Sequence, residues 1–118
     1  MVICDKLYKE ENRIFWLLQY KNEIIGNIVL HRISLKNNFA EIGYKLKPAF
    51  QQKGFISEVL KEVLKFGFQK IKLKTIEAFT HKDNTASIVL LERYNFVFQP
   101  ERTDKGFEHN RIFKLEDN

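Results

Sequence analysis

Between Leu46 and Ile56 the hydrophobic period of the chain changes from two to 3.6, which confines the fold to a mixed α/β arrangement. Before the change, Phe39 to Leu46 alternates, with Ala40, Ile42, Tyr44 and Leu46 on one face and Glu41, Gly43 and Lys45 on the other. This is a strand, ended by Pro48. After the change, Ile56, Val59, Leu60, Val63, Leu64 and Gly67 recur at helical spacing, opposite Ser57, Glu58, Lys61, Glu62 and Lys65. This is an amphipathic helix running to about Lys70.

The remaining segments follow the same two periods. Ile14–Tyr20 and Ile24–Leu30 are rich in branched and aromatic residues and flank the polar Lys21-Asn22-Glu23, so they read as a hairpin. Thr75 to Thr80 reads as a strand, and Ala86 to Tyr94 as a second helix entered through His81-Lys82-Asp83-Asn84-Thr85. Asn95 can stop that helix in a left-handed conformation. Phe96–Phe98 and Arg111–Leu115 give two last strands. The expected order is βββ-α-β-α-ββ in one domain, 1–118: the only prolines are Pro48 and Pro100, and no linker or repeat divides the chain.

At 118 residues with 44% hydrophobic content and eleven Phe, the chain is long and apolar enough for a core, which excludes a disordered or collagen-like polymer. Its single cysteine, Cys4, cannot form an internal disulfide, and no Cys/His cluster has metal-ligand spacing. No metal is expected. A reducing cytoplasm is the expected location, and no apolar run is long enough to span a membrane. The net charge of +5 is concentrated: residues 47–82 hold 8 basic and 3 acidic groups, whereas residues 83–118 hold 5 and 7. An anionic ligand should therefore meet the middle of the chain. A nucleic-acid partner has no further support, because no zinc, helix-turn-helix or RNP-like motif accompanies the charge.

The middle contains a strand-to-helix junction, Gln51-Gln52-Lys53-Gly54-Phe55-Ile56. A helix N-terminus presents unpaired N–H groups and a positive dipole end. With Gly54 allowing close backbone approach and Lys53 adding charge, the junction can hold a phosphate or pyrophosphate. One Gly and one Lys before a helix also describe an ordinary loop, so the context decides.

That context is Ala40-Glu41-Ile42-Gly43-Tyr44 before the junction and Asn84-Thr85-Ala86-Ser87, leading into Leu90-Leu91-Glu92 and Phe96, after it. The pieces together resemble the GNAT N-acetyltransferase superfamily over about Ile14 to Leu115. The junction is similar to its acyl-CoA signature Q/R-x-x-G-x-G/A, and the flanking motifs to its RimJ/RimL-type branch. The resemblance implies acetyl transfer from acetyl-CoA to a primary amine, a protein N-terminus or a small amine, by direct attack on the thioester. It implies that Gln51, Gln52, Lys53, Gly54, Phe55 and Ile56 bind the pyrophosphate and that Tyr44, Lys45, Leu46 and Lys47 bind pantetheine and polarise the thioester. Asn84 and Ser87 would lie along the CoA arm, with Ser87 assisting the departing thiolate.

The attacking amine must lose a proton, since an ammonium has no lone pair. Glu41 is the first candidate for that work, sharing a strand face with the side-chain-free Gly43 and matching the Glu of the family's A-E-I-G-Y piece. An exposed strand carboxylate is the plainer reading of it. His81 is the second candidate, at the end of its strand, and His31 and His109 stand in less promising places.

Three departures from the family pattern shape the remaining expectations. Ile56 stands where the signature has Gly or Ala, which would crowd the pyrophosphate. Leu91 stands where many relatives have a Tyr acid. The family's first strand and first helices are missing before the hairpin, with residues 1–12 expected as a remnant of a helix. An exposed sheet edge follows, and a homodimer is the expected assembly. The alternative to an enzyme is a CoA-binding or interaction module derived from the family and impaired in catalysis.

Overall fold

The computed structural model describes residues 3–10, as backbone, together with residues 12–51 and 54–117. The chain folds as strands β1 (Ile3–Glu10), β2 (Arg13–Tyr20), β3 (Glu23–Ser34) and β4 (Phe39–Leu46), helix α1 (Phe55–Lys65), β5 (Thr75–His81), α2 (Thr85–Arg93), β6 (Val97–Phe98) and β7 (Asn110–Glu116). One seven-stranded sheet carries them in the order β1-β2-β3-β4-β5-β7-β6. Every pairing is antiparallel except that of β4 with β5.

The expected order therefore holds from β2 onward and gains a strand before it. Residues 3–10 are not a helical remnant: they pair with β2 from Ile3↔Gln19 to Glu10↔Arg13. The β2–β3 hairpin turns on Lys21 and Asn22, both left-handed with φ of 49° and 64°, so a two-residue turn connects Tyr20↔Glu23. In β3, Gly26 lies so close to β4 that a Cβ would fall 2.0 Å from the Lys45 carbonyl oxygen. A side chain there would force the two strands apart.

Both helices cover one face of the sheet. The buried stripe of α1, Ile56, Val59, Leu60, Val63 and Leu64, joins Trp16, Ile28, Leu30, Ile42, Ile76 and Ala78 in one core. The end of α1 widens into a π-turn over Phe66–Lys70, where Phe66 meets Trp16 edge-on with ring centres 5.3 Å apart. Asn95 closes α2 at φ 71°, as expected for a left-handed stop. On the opposite face, alternate residues of the same strands bring Glu41, Glu77 and Lys114 into one row, since Glu41 pairs with Glu77 and Glu77 with Lys114. The connection between β6 and β7 sends Arg102 to Glu77 as a two-pronged ion pair. That bond draws the Arg102 pKa upward.

Candidate active site

The parallel seam between β4 and β5 ends at Ile42↔Ala78, although β4 continues to Leu46 and β5 to His81. Beyond that pair the strands diverge, and a cleft of about 290 Å³ opens between them, lined by Gly43, Tyr44, His81, Asn84, Ser87 and Leu91 among others. The N–H of Lys47 is bonded to the Ile25 carbonyl of β3 at 2.8 Å. By the alternation of strand backbone groups, those of Tyr44 and Leu46 then face away from β3, toward the split. Lys47 itself is committed elsewhere, with its ammonium 3.4 Å from Glu23, and Lys45 is exposed outside the cleft lining.

The N-terminus of α2 closes the cleft from the helical face. Asn84 is its cap, accepting a hydrogen bond from the Ser87 N–H at 3.1 Å. Ser87 is buried, and its Oγ lies 2.7 Å from the Tyr44 hydroxyl. Burial pushes the Tyr44 pKa up, and the bond to Ser87 pulls it back only in part. The two hydroxyls thus form a neutral pair that can pass a proton.

Where β4 leaves the sheet, Gln51 Nε2 donates to the Leu46 carbonyl at 3.1 Å and ties the junction loop to the strand end. Tyr20, Phe50 and Phe55 pack beneath it, with ring centres 4.7 Å apart for Tyr20–Phe55 and 6.1 Å for Phe50–Phe55. Gly54 caps α1 at φ 80°, and nothing lies within 4 Å of where its Cβ would stand. The first helical bond runs from the Glu58 N–H to the Gly54 carbonyl at 3.0 Å, so the N–H groups of Phe55, Ile56 and Ser57 precede it. Ile56 does not crowd this mouth, because its side chain is buried in the core. Gln52 and Lys53 lie outside the described residues.

Among the basic candidates, His81 lines the cleft, but its Nδ1 accepts the Asp83 N–H at 3.0 Å. The neutral ring then carries its proton on Nε2, and its lone pair is engaged. Glu41 is buried, not exposed, on the sheet face away from the helices. Arg32 Nη1 reaches it at 3.3 Å and His31 Nε2 at 3.6 Å. No pattern along the chain points to His31, since the contact crosses two strands. Among the described residues no group of three or more His, Cys, Asp or Glu could hold a metal ion. No helix there is long and apolar enough to cross a membrane.

Residues 3–97 match the model of the acetyltransferase (GNAT) domain. The chain belongs to the GNAT acetyltransferase family. It is 38% identical over 92 residues to the uncharacterized N-acetyltransferase YoaA of Bacillus subtilis, covering 76% of this chain and 52% of that one. The chain spans about half the length of the curated relatives it matches, 52% and 49% for the first two. The crystal structure of Campylobacter jejuni PseH in complex with acetyl coenzyme A superposes with a TM-score of 0.74 at 22% identity, covering 92% of this chain and 71% of that one. RimL, a ribosomal L7/L12 alpha-N-protein acetyltransferase in complex with coenzyme A, gives 0.77 at 22% identity, with 89% and 62% covered. At these identities the GNAT structures share the fold.

Proposed function

We propose that this GNAT domain transfers an acetyl group from acetyl-CoA to a primary amine by direct attack on the thioester. The observation that carries the reading is the split of β4 from β5, which opens a cleft against the Asn84-capped N-terminus of α2. An extended pantetheine arm fits such a split, and a pyrophosphate fits the open, left-handed Gly54 turn and the N–H groups that precede the first helical bond. Acetyl-CoA supplies the activated acetyl group as a thioester.

The protein's residues do the rest. Gln51 to Ile56 hold the pyrophosphate through backbone, with Gln52 and Lys53 included. Tyr44 and Leu46 offer backbone groups to the arm and the thioester carbonyl. Asn84 fixes the start of α2, and the Ser87–Tyr44 hydroxyl pair delivers a proton to the departing sulfur, work that Leu91 cannot do. A RimJ/RimL-type acceptor, a protein N-terminal amine or a small amine, is supported by the A-E-I-G-Y sequence at 40–44. A cytoplasmic homodimer belongs to the same proposal, supported by the lone cysteine and by β1 as an edge strand.

Calorimetric titration with acetyl-CoA and with CoA tests the cleft. Binding at micromolar concentration is expected, and Gly54→Glu should lower affinity more than tenfold by setting bulk and negative charge against the pyrophosphate. Undiminished affinity in that variant would show that the junction loop is not the phosphate site. Tight binding without thiol release in the presence of any amine would instead favour the interaction module.

A further inference from the structure

Glu41 receives two consecutive residues of one strand, which regular pairing forbids, since neighbours in a strand point to opposite faces. A bulge makes it possible. The β3–β4 register shifts between His31↔Glu41 and Ser34↔Phe39, and within the shift Arg32 sits in the left-handed region at φ 51°. A non-glycine residue held there marks a place where the surrounding structure imposes the geometry. The result is an arginine and a histidine on the same buried carboxylate, at 3.3 Å and 3.6 Å.

The imidazole also lies next to a residue that lines the cleft. Gly43, one of the lining residues, has no side chain, and His31 Nε2 lies 3.9 Å from where its Cβ would be. Among the described residues no helix packs on this sheet face, so an amine can approach it while the CoA arm lies along the other. We infer that His31 takes the proton from the incoming amine, with Glu41 and the Arg32 bulge holding the ring beside Gly43. The inference rests on the acetyl-transfer reading and gives to His31 the proton-accepting work first expected of Glu41.

The proton balance is complete. An ammonium gives one proton to the imidazole, and the freed lone pair forms the C–N bond at the thioester carbonyl carbon. The C–S bond breaks with its electrons on sulfur, and a second proton from the amine reaches that sulfur through Ser87 and Tyr44. His31 returns its proton to water. Burial lowers the His31 pKa, Glu41 opposes the shift, and Arg32 and Arg13 add to it. The ring is therefore neutral and able to accept near neutral pH. Farther along the same face stand Glu77 and its partner Arg102.

The test is the pH dependence of kcat/KM, read as thiol release from acetyl-CoA with spermidine and with a peptide bearing a free N-terminus. His31→Gln should cut turnover about a hundredfold at pH 7 and flatten the acidic limb, with acetyl-CoA affinity unchanged. Glu41→Gln should keep the limb but move it to lower pH, because Glu41 holds the His31 pKa up; Arg32→Ala should move it the other way. If Glu41→Gln abolishes the limb while His31→Gln keeps it, the carboxylate is the base and the inference falls. Thiol release unchanged in His31→Gln at every pH would remove His31 alone. Acetyl-CoA binding without thiol release by the unaltered protein would remove the reaction, and the base with it.

Discussion

The two faces of the sheet are made from alternate residues of the same strands, yet they are built on different physics. Leu30 and His31 are neighbours in β3; Leu30 is fully buried under α1, while His31 is half-exposed over Gly43. Ile76 and Glu77 stand in the same relation in β5. The helical face is held by apolar burial, which is non-directional and tolerant of small shifts. The opposite face holds Glu41 and Glu77, each nearly buried and each satisfied by a specific cation from another segment. Its geometry depends on direction and charge, and so does any chemistry it performs.

Adjacent substitutions should separate the two faces. Leu30→Ala is expected to have the largest effect, costing about 2–5 kcal/mol of stability through the lost side chain and the cavity left behind. Denaturant unfolding would show it, whereas His31→Gln next door should stay within about 0.5 kcal/mol. Equal losses from the two would mean that the faces do not divide their labour. Arg102→Ala comes next, at about 1–3 kcal/mol, because it leaves the Glu77 carboxylate buried without its donor. Its unfolding midpoint should recover in part when Glu77→Gln is added, and a further drop would contradict a pairing role. The smallest effect is a pH dependence of stability. The folded protein holds the His31 pKa below its ordinary value of about 6.5, so this contribution is full above that pH and fades as pH falls through the lowered value. A midpoint that drops between pH 7 and pH 5 in the unaltered protein, but less in His31→Gln, is the expected signature.

Most of the helical face was legible in the sequence because burial writes a period. The α1 stripe from Ile56 to Gly67 is buried throughout, and β4 spans Phe39–Leu46 as its alternation indicates. β1 was not legible. Its register slips between Cys4 and Lys6, so Ile3 falls out of step with Leu7, and Cys4 with Tyr8, and no clean alternation survives. The Asn95 stop carries a local signal, a residue type suited to a left-handed backbone, and the structure forms it. The Ser87–Tyr44 pair and the His31–Glu41 contact do not, because each depends on which residues the register sets opposite one another. For Glu41 that register turns on a bulge at Arg32, a residue type that gives no warning of a left-handed backbone.

The parallel pairing of β4 with β5 also has a meaning for assembly. It joins an antiparallel meander, β1 to β4, to a second antiparallel unit, β5 to β7, through four register pairs and a crossover that contains α1. Its partners lie far apart in sequence, so it closes a larger loop than the hairpins of the meander do. The site is therefore completed by a long-range pairing and not by a local hairpin. A ligand lying in the split would act as a stitch across the two units, so its occupancy and the cooperativity of the whole chain would be read in the same few hydrogen bonds.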